Sequence, residues 1–274
     1  MITKAIIPVA GWGTRRLPIT KAIEKSMLPV GNRPIIDYVV EDCVKAGITD
    51  IYFVVSGHDT QLEKYYSKSE ELEAHLIRNN LEDKLSLIQP PDITFHYIVQ
   101  DSEHDAYGTA TPVWLCRDVV GPDEQVLVIM GDQFFYRTDG GSNAADLVNR
   151  VTTDGLSAAL LAVAIPDEKV SQYGIIKKDE NDNYIEIVDK PSPENAPSNL
   201  NNASFYVFNA ALFAYLDRYM NVDHDGEYMI TDVINDYVAG GNAVKVLEAT
   251  GEYLDGGTVH GWVHANRVIT GDLA

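Results

Sequence analysis

Residues 10–30 read AGWGTRRLPITKAIEKSMLPV. The run before them, Ala5 to Val9 (AIIPV), is too short for a soluble helix and rich in Ile and Val, so it reads as a strand buried on both faces. Gly11 and Gly13 then let the backbone turn sharply and bring its N–H groups close to an anion. Four cations, Arg15, Arg16, Lys21 and Lys25, fall within eleven positions of a chain with only 21 Lys and Arg and a net charge of -20. An acidic body repels polyanions, so this local concentration of positive charge implies a phosphate-rich ligand at the turn.

Two better-known phosphate turns do not fit. A dinucleotide fingerprint needs a third glycine opening a helix, but Arg16 stands three residues after Gly13 and Pro18 follows where the helix would be running. That disfavours a nicotinamide-dependent dehydrogenase. The pattern G-x-x-x-x-G-K-[ST] is also missing.

What remains, G-x-G-T-R followed by Lys25 and Met27-Leu28-Pro29, resembles the signature of the sugar-1-phosphate nucleotidyltransferases. The form LP-x-TKA-x-x-K-x-MLP is nearest to the bacterial UTP:glucose-1-phosphate uridylyltransferase group. The likeness continues through Asp37-Tyr38-Val39-Val40, Ala46-Gly47-Ile48, SEELEAHL (Ser69 to Leu76), APSNL (Ala196 to Leu200), ITD (Ile230 to Asp232) and the segment around Asp255, so it spans nearly the whole chain.

Composition agrees with a large α/β enzyme. At 274 residues with 45% hydrophobic and 23% charged residues, the chain can bury a substantial core. No window offers the roughly 18 uninterrupted apolar residues a membrane span requires. The N-terminus reads as strand and not as a signal peptide. Cys43 and Cys116 sit among apolar neighbours and suit a reducing cytoplasm. The acidity excludes nucleic acid as a partner, because a phosphate backbone needs a broad basic face. The seven histidines (58, 75, 96, 104, 224, 260, 264) show no zinc spacing and are read as structural.

Pro34 opens a helix that closes at Gly47, and Ile51 to Val55 forms the next strand, giving a βαβ unit. Helical patterns at Thr60 to Ser67 and Glu70 to Leu81 precede a strand at Ile93 to Val99, a helix at Gly108 to Val119 and a central strand at Gln125 to Met130. Beyond Asp132, strands at 156–164, 173–178 and 184–188 are separated by polar turns and look like an antiparallel edge or small sheet. The Pro-rich stretch 190–200 is read as a loop, followed by a strand at 203–208, helices at 210–219 and 230–239, and a last strand near 244–247. The expectation is an α/β fold: a Rossmann-like, mixed, mostly parallel sheet flanked by helices, with a small antiparallel sheet in the sugar-binding half. Residues 1–274 form one domain, with about 1–132 the nucleotide half and about 133–274 the sugar half.

Asp132 follows the apolar strand in Met130-Gly131-Asp132, so its carboxylate projects from the carboxyl edge of the sheet, where ligands of open α/β folds bind. A strand-end Asp also serves as a turn or helix cap; beside the other motifs it is read as a ligand for Mg²⁺, which takes one or two carboxylates plus phosphates and waters. The resemblance puts the second metal carboxylate at Asp255. It also implies a nucleotide site built from Ala10, Gly11, Gly13, Thr14, Arg15 and Lys25, with Gln100 and Gly108 reading the base. Gly174, Asp189 and Lys190 would take the sugar phosphate. Arg15, Lys25, Asp132 and Lys190 are thereby the catalytic residues, whereas Arg16 and Lys21 read as solvated surface charge. Glu227 lies near the sugar pocket or caps a helix.

The implied reaction is transfer of the uridylyl group of UTP to glucose 1-phosphate, giving UDP-glucose and pyrophosphate by Mg²⁺-assisted in-line displacement. Departures from the family pattern at Glu24, Thr109, Asp189 and Ser204 leave a sister enzyme using dTTP or CTP as an alternative. A catalytically silent nucleotide-binding protein is the second. The resemblance also implies a homo-oligomer; relatives usually extend past Asp255 with a helical arm while this sequence continues for 19 residues, so either its assembly differs from theirs or its last segment is simply shorter.

Overall fold

Ala5, Ile6 and Ile7 are fully buried because β1 (Lys4–Pro8) lies in the middle of a sheet with helices on both faces. The computed structural model describes residues 1–57, 61–101 and 105–271. Thr60, expected to start a helix, and the histidines at 58 and 104 lie outside the described residues.

After β1 the chain passes through three short 3₁₀ turns (14–16, 19–21, 25–27) and a small hairpin of β2 (Pro29–Val30) and β3 (Arg33–Pro34). It then enters α1 (Ile35–Lys45) and β4 (Asp50–Ser56). Next come α2 (Gln61–Tyr66), α3 (Glu70–Arg78), β5 (Thr94–Gln100), α4 (Ala110–Leu115) and β6 (Gln125–Ile129). The second half begins with β7 (Gln133–Tyr136), α5 (Asn143–Asp154) and β8 (Ala159–Ala164). It continues with β9 (Gly174–Lys178), β10 (Tyr184–Asp189), β11 (Leu200–Asn209), α6 (Ala211–Met220) and α7 (Ile230–Ala239). The chain closes with β12 (Lys245–Glu248), β13 (Glu252–Asp255) and α8 (Val259–Thr270).

One nine-stranded sheet runs β10-β9-β11-β6-β1-β4-β5, with β8 branching from β11 and β12 pairing with β8. The strands β6, β1, β4 and β5 are mutually parallel, while β11 runs antiparallel to β6, β8 and β9. The strands expected as an antiparallel edge therefore extend the central sheet. Joining them is β11, which is ten residues long, bears a register shift between Asn202 and Tyr206, and contacts three neighbours. A separate antiparallel ribbon does exist, built from β7 and β13.

Two helices were not expected from the sequence. In α5, Ala144, Leu147, Val148 and Val151 form a buried stripe between an N-cap at Ser142, whose side chain accepts from Ala145 N, and a left-handed Gly155. In α8 only Ala265 is fully buried, so the apolar stripe is thin. This helix is tied to the signature segment instead: Trp262 Nε1 donates to Pro29 O at 2.7 Å, and Gly31 N donates to Asn266 Oδ1 at 3.0 Å.

On α1, Asp42 is buried, and burial pushes its carboxyl from an ordinary 3.8 up to about 6, against weaker opposing contributions from Ser142 and Lys45. A carboxyl whose pKa is raised on folding holds its proton more tightly in the native state, so stability falls as pH climbs from about 4 to about 6. D42N is expected to stabilise the protein by about 2 kcal/mol at pH 8 and by roughly 0.5 kcal/mol at pH 4, where the native carboxyl keeps its proton and the unfolded one is about half ionised. Urea midpoints measured at the two pH values check this; an equal effect at both would contradict it.

Candidate active site

The parallel strands all end on one edge, and because β1 and β6 are neighbours, the turn after β1 and the segment after β6 emerge side by side. Gly131 N donates to Pro8 O across that junction. The first turn is set by Gly13, whose φ of 65° is left-handed and whose carbonyl receives Arg16 N at 2.9 Å and Thr20 Oγ1 at 2.9 Å. This winds the glycine turn around Lys25: the ammonium lies 3.2 Å from the position a Gly11 Cβ would take. Lys25 Nζ in turn stands 3.5 Å from Asp132 Oδ2.

Asp132 is thus met by two cations. Arg16 NH2 is 3.4 Å from the same oxygen, and Arg16 NH1 donates to Lys25 O at 3.1 Å. Burial alone would raise the Asp132 carboxyl, yet the charges of Lys25 and Arg16 outweigh it and hold the group below its ordinary value. At an effective dielectric near 20, each such contact is worth on the order of 4 kcal/mol of attraction, enough for that sign. The expectation for Arg16 is corrected here. It is 2% exposed, among the most buried large side chains in the molecule, and not a solvated surface charge. The 3₁₀ turn at 14–16 points Arg16 inward while leaving Thr14 and Arg15 at the surface.

Asp255 ends β13, and its register partner on β7 is Gln133. Gly256 N donates to Asp132 O at 2.9 Å, which fastens the ends of the two segments together, and Gly257 N donates to Asp255 Oδ1 at 2.7 Å. Burial raises the Asp255 carboxyl above its ordinary value and the nearby Asp132 charge adds to that, while the Gly257 bond and the charges of Arg16 and Arg15 oppose it. Two carboxylates from positions 123 residues apart, counted from Asp132 to Asp255, therefore share one field.

The donor set is oxygen-only, and among the described residues no group of three or more His, Cys, Asp and Glu could hold a metal. Two carboxylates with room for substrate oxygens suit a hard divalent cation, which binds through one or two carboxylates plus phosphates and waters. Beside them, Gln133 Oε1 is buried without a hydrogen-bond partner among the described residues, and the buried Tyr253 hydroxyl faces the Asn201 amide, polar groups the sequence did not single out.

Other expected site residues sit around this cluster without a direct ion pair or hydrogen bond to Asp132 among the described residues. Ala10 continues the turn from β1, half-buried. Gln100 ends β5 opposite Ser56 of β4, on the same edge of the sheet. Gly108 has φ 144°, and a Cβ there would lie 2.2 Å from Tyr228 O and 2.4 Å from Tyr228 N. The close approach is closed by Tyr228 N to Tyr107 O and Ala110 N to Tyr228 O, both 2.8 Å. Gly174 pairs in register with Asp189, and Lys190 N donates to Tyr173 O at 2.9 Å. Lys190 itself is left-handed, with φ 45°, and its exposed ammonium is 3.5 Å from Asp189 Oδ2. Tyr173 links this strand end to the carboxylates, since burial first and the Asp255 charge second raise its phenol.

Two departures from the family pattern prove to be caps. Glu24 accepts from Gln61 N at 2.5 Å and from Leu62 N at 3.2 Å, while Gln61 Oε1 accepts from Glu24 N at 3.0 Å. Thr109 Oγ1 accepts from Ile230 N at 3.0 Å, at the start of α7. A third, Ser204, adopts φ 60° at the shift in β11, where its carbonyl accepts from Met130 N, two residues before Asp132. The remaining described histidines are accounted for locally where partners are present: His96 with Asp50, His264 with Glu252 and His224 with the Tyr219 carbonyl.

This fold and this edge-of-sheet cluster define a nucleotide-handling α/β protein. The family described as Nucleotidyl transferase matches residues 4–271, and the chain belongs to that family. It is 36% identical to the UTP--glucose-1-phosphate uridylyltransferase of Haemophilus ducreyi, across 96% of this chain and 91% of that protein. It is 34% identical to the Escherichia coli enzyme of the same name, across 96% and 89%. The solved structure of a UTP-bound UGPase from Acinetobacter baumannii superposes with a TM-score of 0.86 at 29% identity, covering 98% of this chain and 93% of that one. A UDP-glucose pyrophosphorylase complexed with UDP-glucose superposes with a TM-score of 0.82 at 27% identity, covering 99% of each.

G108A tests whether the loop at Gly108 depends on that close backbone approach. Added strain at a positive φ plus collision with the Tyr228 backbone is expected to cost about 2–3 kcal/mol. The melting temperature should fall and KM for the nucleotide should rise more than KM for the second substrate. An unchanged melting temperature would contradict the packing described.

Proposed function

We infer that this chain is a UTP:glucose-1-phosphate uridylyltransferase, carried above all by the meeting of Asp132, Asp255 and Lys25 at the glycine turn after β1. A phosphate oxygen of glucose 1-phosphate forms a bond to the α-phosphorus of UTP as the bond from that phosphorus to the β-phosphate bridging oxygen breaks; UDP-glucose forms and pyrophosphate leaves. No electron transfer is involved, and no serine or histidine nucleophile is needed. The names of relatives at 34–36% identity over nearly the full chain support UTP and glucose 1-phosphate as the substrates.

Each part of the chain has an assignable task. Backbone N–H groups at Ala10, Gly11, Gly13 and Thr14 approach the nucleotide, with Gln100 and the Gly108 loop beside the base. A glutamine amide both donates and accepts, which matches the uracil edge. Arg15, exposed next to the Asp255 field, offers paired donors to the triphosphate, and Lys25 supplies a movable charge over the α- or β-phosphate. Gly174, Asp189 and Lys190 form the sugar-phosphate side, and Gln133 Oε1 is a further acceptor beside Asp132. Residues 1–132 serve as the nucleotide half and 133–274 as the sugar half.

Nucleotidyltransferases of this kind use a divalent metal; we assign it as Mg²⁺, held by Asp132 and Asp255. When bound, it shields phosphate oxygens and stabilises charge on the departing pyrophosphate. The protein's own contribution is to hold Asp132 ionised with Lys25 and Arg16 and to fix Asp255 beside it through the Gly256 and Gly257 hydrogen bonds. No helix among the described residues is long and apolar enough to cross a membrane. We place the enzyme in the cytoplasm, acting as a homo-oligomer.

The test is pyrophosphate release by purified protein supplied with Mg²⁺, glucose 1-phosphate and each of UTP, dTTP and CTP. UTP should be preferred. D132N should lower kcat by about a thousandfold, the scale expected for losing a major electrostatic stabiliser of the transition state. K190A should raise KM for glucose 1-phosphate more than KM for UTP. A clear preference for dTTP, or turnover indifferent to D132N, would overturn the assignment.

A further inference from the structure

Among the described residues Arg16 is the largest fully buried side chain, and its Nε completes no hydrogen bond. Its other arms make two contacts, one to the Lys25 carbonyl at 3.1 Å and one to Asp132 Oδ2 at 3.4 Å. A neutral donor would serve the first contact. Burying a full charge is costly unless the charge is answered, and what answers this one is the pair Asp132 and Asp255, both of which act on the guanidinium. Lys25 differs: its ammonium is a compact charge on a flexible stem and its side chain keeps 16% exposure, whereas Arg16 is 2% exposed.

Resting on the metal assignment above, we propose that Arg16 is a resident counter-cation of the two-carboxylate site. It neutralises Asp132 in the nucleotide-free protein, so that the protein alone holds divalent cations weakly and takes them up together with the triphosphate. Arg16 is a positioning residue in this account, since its contacts are to protein groups and not to substrate. The free site carries two carboxylates already faced by Arg16 and Lys25. An arriving triphosphate draws Lys25 toward itself, and its own oxygens complete the cation's coordination. Removing the charge of Arg16 leaves Asp132 faced by Lys25 alone, so a divalent cation meets one positive charge fewer before any nucleotide arrives.

The experiment titrates Mn²⁺ into nucleotide-free protein and reads free Mn²⁺ by electron paramagnetic resonance, independently of turnover. R16Q keeps a donor for the Lys25 carbonyl without the charge, R16M removes both, and R16K keeps the charge. We expect R16Q to bind Mn²⁺ at least about tenfold more tightly than the native protein, the scale of one lost neighbouring charge, and R16K to stay near the native value. R16M should follow R16Q if it folds, and D132N introduced into R16Q should abolish the gain. Unchanged or weaker Mn²⁺ affinity in folded R16Q overturns the proposal, as does equal tightening in R16K. Binding of the Mn²⁺–UTP complex separates this failure from failure of the functional reading. If D132N weakens that complex while R16Q leaves nucleotide-free affinity unchanged, only the role of Arg16 is wrong. If D132N binds the complex as well as the native protein, the two-carboxylate site itself fails, and the proposal with it.

Discussion

The charge cluster at Asp132 is the constraint around which the active edge is organised. In a chain of net charge -20, this carboxylate is partly buried and answered by Arg16 and Lys25, both contributed by a segment more than 100 residues earlier. The Lys25 turn is anchored to the core by Ile23, Met27 and the fully buried Leu28, whereas the exposed glycine turn has no such anchor among the described residues. The placement of the glycine turn follows from this ion cluster and from Gly13, whose carbonyl collects both Arg16 N and the Thr20 hydroxyl. The same cluster decides the electrostatics: one carboxylate is held ionised by adjacent cations, while its neighbour Asp255 is pushed the other way by burial and by Asp132.

The scaffold protects that arrangement from several directions. Below it, the β7–β13 ribbon brings Asp255 level with Gln133, and the Gly256 to Asp132 hydrogen bond fixes the spacing. At one side, Glu24 and Gln61 exchange backbone bonds, so the residue preceding Lys25 is anchored to α2. At another, α8 grips Pro29 and Gly31 at the end of the signature. Glu24 and Thr109 thus depart from the family pattern at positions where their side chains satisfy helix N-termini, which gives each a structural reason independent of substrate choice.

Much of this architecture is legible from residues close together in sequence. The AIIPV run, the Pro34 helix start, the Gly47 stop and the QVLVI strand carry their structure in local pattern, and the strand-end position of Asp132 follows from them. What depends on distant pairing is not legible in that way. Asp255 ends a four-residue strand whose partner lies far upstream, so only the resemblance pointed to it. Arg16 looks like any exposed arginine beside Arg15 until the 3₁₀ turn fixes which of the two faces inward. The polar turns between strands 8 to 10 mark an antiparallel edge, which β9 and β10 form, but nothing local reveals that a ten-residue β11 with a mid-strand shift joins it to the centre. The α5 stripe, by contrast, was present in the sequence, with both caps in place.

The central claim is that Asp132 and Asp255 together hold a divalent cation against the triphosphate while Lys25 changes partner from carboxylate to phosphate. Anomalous diffraction from crystals grown with Mn²⁺ and a non-hydrolysable UTP analogue tests it most directly. The account predicts a manganese peak between the two carboxylates, with Lys25 moved from Asp132 onto the nucleotide phosphates and Arg16 still in place beneath. A peak elsewhere, or none at these residues with Lys25 still paired to Asp132 while the nucleotide is bound, would contradict it.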